Sequence, residues 1–288
     1  MKTKIILASL ACCLSGFAEP LSESTFTEIV KEVLVVPETT KTAQPAQVNE
    51  VVKAPDLVRT GPQSRAEMTA PDQTITRIGA NTVFSFEPAG RTMELQKGNV
   101  LFHSPKGKGG GVIKSGGASA AVLGTTIIVV ATPAGGFKLI VLEGRGTVTL
   151  PSGNTVSLKA GQLVFVLPGQ TDFGPVLDIN LGKLVGGSQL VNGFSHPLSS
   201  LSLIQEAIDQ QNKKIRKGVV EDTGVSPESF SKRAPSTGPG INAIDNATFE
   251  AGATPGITVL QAEALQQSGA KPRNINGGSR GFTIVGPK

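Results

Sequence analysis

The chain has 288 residues, of which 17% are charged and 4% aromatic, and every aromatic is Phe. With 35 Gly, 19 Pro and neither Trp nor Tyr, it argues against an ordinary compact enzyme, a coiled coil, and sites that stack sugars or single-stranded nucleic acid on Trp or Tyr. The formal net charge of +5 falls to +3 without Lys2 and Lys4, which lie in a segment expected to be removed; that is too little for a nucleic-acid partner without a clustered patch.

Residues 1–18 read as a secretory signal peptide. Lys2 and Lys4 form the positive start and Ile5 to Leu14 the apolar run. Gly16 and Ala18 are the small residues of a cleavage site after Ala18. The apolar run is too short to cross a bilayer, and no later stretch is long enough, so no transmembrane segment is expected. Both cysteines, Cys12 and Cys13, lie inside this peptide. The cut protein is then expected to have no disulfide, thiolate nucleophile or Cys–metal site. The predicted location is periplasmic or secreted.

Residues 19–55 are rich in Glu, Thr, Val, Pro and Ala and read as an N-terminal linker, with a short helix or strand over 25–36. From Asp56 the texture changes. Apolar or alternating runs recur about every ten residues between Gly, Pro, Asn and Asp: 66–70, 73–78, 82–87, 92–95, 99–103, 125–132, 137–143, 146–150, 155–158 and 162–167. No helical pattern interrupts them. The expected fold is all-β, a roll-like or solenoid-like stack of short strands over 56–170.

Residues 171–196 are Gly-rich and carry no clear period. Ser199 to Lys217 is the one convincing helix, with Leu201, Ile204, Ile208 and Ile215 at helical spacing and Lys213, Lys214, Arg216 and Lys217 at its end. Ser202 and Gln205 fit a capping box, and Gly218 stops the helix. Its apolar stripe is expected to pack on the β-domain. The region 171–218 is thus a Gly-rich connection and an amphipathic helix. Residues 219–288 are low-complexity and expected to be mostly disordered, apart from a short helix over 257–267.

Several motifs of the β-rich segment resemble the FecR-like periplasmic domain family. Val58 to Met68 (VRTGPQSRAEM) resembles its opening "TG…SR-A-E" strand, and Asn81 to Phe86 its next apolar strand. Met93 to Val100 (MELQKGNV) is similar to its "L-x-x-G-x-V" turn and Ala121 to Thr125 (AVLGT) to its "V-x-G-T" motif. Val141 to Gly144 and Leu158 to Gln162 resemble the closing turns. The resemblance runs in order from Asp56 to Gly169. It implies an all-β domain outside the inner membrane. In iron-uptake systems the family relays a signal from an outer-membrane transporter to a sigma factor. That relay also needs a cytoplasmic anti-sigma segment and a transmembrane helix, and none of these 288 residues reads as either.

Gly61, Gly98, Gly124, Gly144 and Gly161 are read as structural turn residues, not as chemistry. Gly107 to Gly111 (GKGGG) lacks the Lys-Ser/Thr and helix of a phosphate loop and reads as a mobile hairpin. Lys106, Lys108 and Lys114 make it a candidate basic contact loop, with no acidic residue between Pro105 and Leu142. Gly277 to Gly281 matches G-x-S-x-G without its strand and helix. His103 and His196 are the two histidines; neither sits in a metal-ligand spacing. No catalytic residue, metal or cofactor is expected.

The sequence therefore reads as a non-enzymatic exported module that binds or scaffolds in the cell envelope. Its expected partner is an envelope protein or acidic polymer. The alternatives are a component of envelope signalling, regulating a sigma factor through a separate membrane partner, and a polysaccharide-associated enzyme.

Overall fold

Short Val-, Ile- and Thr-rich runs become strands because branched side chains pack well on a pleated surface. The computed structural model describes residues 20–216. Its strands in chain order are β1 (Glu23–Val30), β2 (Val33–Val36), β3 (Gln44–Pro45), β4 (Val51–Lys53), β5 (Leu57–Thr60), β6 (Arg65–Thr69), β7 (Ile75–Ile78), β8 (Val83–Phe86) and β9 (Thr92–His103). They continue as β10 (Gly111–Ser115), β11 (Ala118–Val122), β12 (Thr126–Ala131), β13 (Phe137–Glu143), β14 (Arg145–Thr149), β15 (Thr155–Lys159), β16 (Gln162–Val166) and β17 (Leu177–Asp178). The helices are α1 (Leu181–Gly187), α2 (Gln189–Asn192) and α3 (Leu201–Arg216).

The strands form two sheets that share β9. Sheet A runs β4-β1-β6-β7-β9-β12-β13-β16-β17. Sheet B runs β3-β2-β5-β8-β9-β10-β11-β14-β15. All these pairings are antiparallel except β9 with β10, which is parallel. After β9 the chain lays down strands in pairs, alternately in sheet B and sheet A, which makes an open roll. Thr92–Lys97 pairs in sheet B and Gly98–His103 in sheet A. The chain changes sheet at Gly98, where φ is +94°. A Cβ there would lie 2.5 Å from the Thr82 Cα, so only glycine fits both the backbone angle and the approach.

Two apolar layers follow from strand alternation. Phe26, Met68, Phe84, Phe86, Phe102, Val129 and Leu139 fill the space between the sheets. Phe84 and Phe86 meet edge to face with centroids 5.0 Å apart. On the other face of sheet A, Leu101, Ile128, Ile140 and Leu142 pack under Leu184, Leu190, Ile204 and Ile208 of the helices. β12 and β13 are buried on both faces, which is why they read as continuous apolar runs. An alternating pattern belongs to strands with one wet face.

The all-β roll and the packed helix are therefore the fold that this chain adopts. Four details differ from expectation. The stretch 19–55 is no linker where it is described. β1 pairs with β4 and β6 and β2 with β5, and Phe26, Val33, Val35 and Val52 are buried. The strands are short, and the prolines sit at their ends or, as Pro45, in an edge strand, where no ladder donor is lost. Of the stretch Gly107 to Gly111, expected as a mobile hairpin, Gly111 begins β10 and pairs with Val122 of β11. Residues 171–196 hold β17, α1 and α2, and the Asn180 side chain caps α1 by accepting from the Lys183 amide at 3.0 Å. Ser202 lies inside α3, so the capping box with Gln205 does not form; Gln205 donates to Asp209 instead. The signal peptide with Cys12 and Cys13, the tail 219–288 and its G-x-S-x-G match lie outside the described residues.

Candidate functional site

The face of sheet A beneath the helices carries polar groups at positions that alternation would make apolar. Arg77 of β7 is fully buried. Its Nε donates to Glu67 Oε2 at 2.7 Å. Its Nη1 donates to the carbonyls of Leu190 and Val191 at 3.1 and 2.7 Å, and its Nη2 to that of His196 at 2.8 Å. The guanidinium also lies 4.4 Å from the Phe194 ring centroid. Thr27 of β1 donates to Glu67 Oε1 at 2.8 Å, and Arg65 donates to the Gly193 carbonyl. A planar five-donor cation can satisfy a carboxylate and several helix-end carbonyls at once, which lysine cannot.

A second network surrounds Thr126. Its Oγ1 lies 2.9 Å from His103 Nδ1, 2.8 Å from Glu143 Oε1 and 2.8 Å from Ser200 Oγ. Burial pushes the Glu143 carboxyl up from its ordinary range and the His103 imidazole down. Both shifts favour the neutral forms. Acid, imidazole and hydroxyl are present, yet Thr126 stands at the centre and all four residues are buried. The arrangement ties the start of α3 to β9, β12 and β13. The two histidines belong to separate networks, since His196 meets Ser195 at 3.1 Å and its carbonyl meets Arg77. Among the described residues no group of three or more His, Cys, Asp or Glu is placed to hold a metal.

The candidate basic loop is divided. Lys114 sits along β10 and its ammonium donates to Glu87 at 2.9 and 3.2 Å. Lys106 and Lys108 are exposed at the end of sheet B. There Lys106 packs beside Gly124, whose φ is +61°, and a Cβ on Gly124 would lie 2.8 Å from the Lys106 Cγ. The charge of Lys106 also pulls down on the buried Glu143 carboxyl. Arg145 and Lys159 are register partners. Gly146 is the register partner of Val122, which places Leu123 beside Arg145. Leu123 is 70% exposed. Leu123 thus has Arg145 and Lys159 across the register and Lys106 beside the next residue, Gly124. Lys108 stands two residues before Gly110, whose added Cβ would lie 3.1 Å from the Leu123 Cα. Four cations therefore lie on the segments that meet at this bare leucine, a corner of the roll. Of the five glycines read as turns, Gly98, Gly124, Gly144 and Gly161 have positive φ. Gly61 does not; a Cβ there would meet Glu32 Oε2 at 2.6 Å.

Sequence reasoning missed Arg77, Glu67, Thr126, Ser200, Leu123, Arg145 and Lys159. Only Arg77, a charge between Ile75 and Ile78, carried a local signal.

Residues 56–145 match the family model described as FecR protein. This segment is a FecR domain. It runs from β5 to the first residue of β14, the middle of the roll. β1–β4 extend its sheets at one side and the rest of β14 with β15–β17 at the other. Both buried networks join the FecR domain to what flanks it: Thr27 and residues 190–196 reach Arg77 and Glu67, and Ser200 reaches Thr126. Two solved structures are similar, each of a Parabacteroides distasonis protein provisionally described as an anti-sigma factor and each 18% identical. One match covers 47% of this chain and 64% of that chain with a TM-score of 0.41. The other covers 54% and 74% with a TM-score of 0.42. The chain thus spans less than two thirds of the first. No curated protein matches the sequence.

Proposed function

We propose that this chain is an exported, non-enzymatic binding module of the cell envelope, cut after Ala18. The observation that carries the reading is the FecR domain at the middle of the roll. The fate of the reactive groups at one buried site supports it: the Glu143 acid, the His103 imidazole and the Ser200 hydroxyl all bond to the Thr126 hydroxyl. Their roles are to hold strands and helices together. A second reading, sigma-factor regulation through a separate membrane partner, draws on the same FecR match.

Affinity capture from envelope extract with the tagged full-length chain tests the binding role, and the chain is expected to recover a discrete envelope protein. Recovery of nothing beyond the untagged control would contradict it. Deleting the chain and measuring sigma-dependent transcripts separates the readings, since only the signalling role predicts a change. N-terminal sequencing of exported protein is expected to begin at Glu19, and a retained Met1 would refute export by cleavage.

A further inference from the structure

Charge is segregated along the chain. Residues 20–94 carry ten carboxylates against seven Lys and Arg. Between Glu94 and Asp172 there are again seven Lys and Arg, but the sole carboxylate is Glu143, and it is buried. The roll lays these halves at opposite sides of sheet B, β2 and β5 toward one edge and β14 and β15 at the other. Within the basic half, Lys138 is buried and Lys114 is paired with Glu87. Lys97 is exposed on β9 opposite Val83 of β8. The other exposed cations are Lys106, Lys108, Arg145 and Lys159, and no ion pair engages them among the described residues.

The apolar element decides what fits there. A polyanion without apolar groups would leave Leu123 in water. An acidic peptide segment with one apolar side chain would cover it while its carboxylates meet the four cations. The corner crosses the ends of β11, β14 and β15, two strand spacings of about 4.8 Å plus the flanking lysines. That is within reach of about five residues of extended chain. The local frame is stiff, because Thr125 Oγ1 donates to the Arg145 carbonyl at 2.9 Å and Gly110 lies against the Val122 carbonyl.

We propose that the corner formed by Lys106, Lys108, Leu123, Arg145 and Lys159 is a docking surface for an acidic segment of a partner protein that carries an apolar side chain. This rests on the reading of the chain as a binding module and names the chemistry of what it binds.

The test is fluorescence anisotropy of the full-length chain with a labelled glutamate-rich heptapeptide bearing a central leucine. Saturable binding that weakens with salt is expected. Arg145→Gln with Lys159→Gln should weaken it at least about tenfold, and Leu123→Ser about threefold or more. Lys114→Gln should stay within about twofold. Replacing the peptide's leucine by serine should remove the effect of Leu123→Ser. Thermal melts check that each surface variant is folded. Absence of binding, or an equal loss in Lys114→Gln, would overturn the surface. Tight binding of polyphosphate that Leu123→Ser leaves unchanged would make the corner a polyanion site and overturn the peptide. Envelope capture that survives the Arg145→Gln/Lys159→Gln change would leave the binding role standing while removing this surface from it.

Discussion

At the residue scale, the informative positions are polar or glycine side chains set among apolar ones. Asn99 is buried, and neither its Oδ1 nor its Nδ2 has a hydrogen-bond partner among the described residues. Its side chain fills the space over Gly79, where an added Cβ would sit 1.7 Å from Oδ1. Gly79→Ala should therefore cost about 1–3 kcal/mol in a urea melt, the usual range for overpacking. Asn99→Ala in that background should restore most of the loss, and additive effects would show that the two positions do not compete for the space. Lys138 faces the helix side of sheet A between Val130 and Phe165. Burial holds its pKa down at about 7, against 10.5 ordinarily. Below pH 7 the amine is charged in both folded and unfolded chains, and folding bears the full cost of burying the charge. Between pH 7 and 10.5 the unfolded chain keeps the proton and the folded chain does not. Stability should therefore rise with pH in that window, by at most about 1.4 kcal/mol per unit. Urea midpoints at a series of pH values should show the rise in the native chain and its loss in Lys138→Met; parallel profiles would contradict this.

At the element scale, the helical layer is fastened to sheet A by few but well-satisfied groups. Ile204 and Ile208 give α3 its apolar contact. Gln211 bridges α3 to α1 and to the loop before it, accepting from the Leu181 amide at 2.9 Å and donating to the Ile179 carbonyl at 2.8 Å. Arg77 fastens α2 and the loop after it. Arg77→Met would leave the Glu67 carboxylate buried without its cation and three carbonyls without that donor. A loss of about 3–5 kcal/mol is expected, the range for breaking a buried pair from one side. Arg77→Met with Glu67→Leu should recover part of it, because no uncompensated charge remains. Hydrogen exchange should locate the defect, with the amides of 189–196 exchanging faster while those of β12 and β13 hold. Uniform acceleration would mean that Arg77 supports the roll as a whole and not this layer.

At the scale of the whole molecule, the FecR domain is the centre of a larger core. β5 and β6 are covered at their edges by β2 and β1, and the outer face of sheet A by helices whose residues begin at 181. A fragment limited to 56–170 would expose Leu101, Ile128, Ile140 and Leu142 and leave strand edges open to aggregation. It should bind a hydrophobic dye and melt broadly or at much lower temperature, whereas 20–216 should melt in one cooperative step. Equal midpoints would show that 56–170 is an independent unit.

The amino-acid sequence by itself determined the strands whose signal is local. β12 and β13 are continuous runs of β-branched and apolar residues, and α3 repeats its Ile and Leu at helical spacing, so each could be read without its neighbours. The turn glycines and the FecR motifs are equally local. β3 and β4 escaped, and 25–36 stayed open between helix and strand, because short segments between prolines have too little period to show; the pairing of β1 with β6 and of β2 with β5 is what makes that stretch strands. The two cores likewise exist only once strands distant in sequence lie side by side. The candidate site shows the same limit: Lys106 and Lys108 were legible as charge near glycine, while Arg145, Lys159 and Leu123 join them through the register of β11, β14 and β15. Arg77 was visible as a charge in an apolar strand, but the carbonyls it holds lie 113 to 119 residues away. Hydrogen bonds and charge act through space over a few ångströms, so only the folded chain decides which distant residues come within their reach.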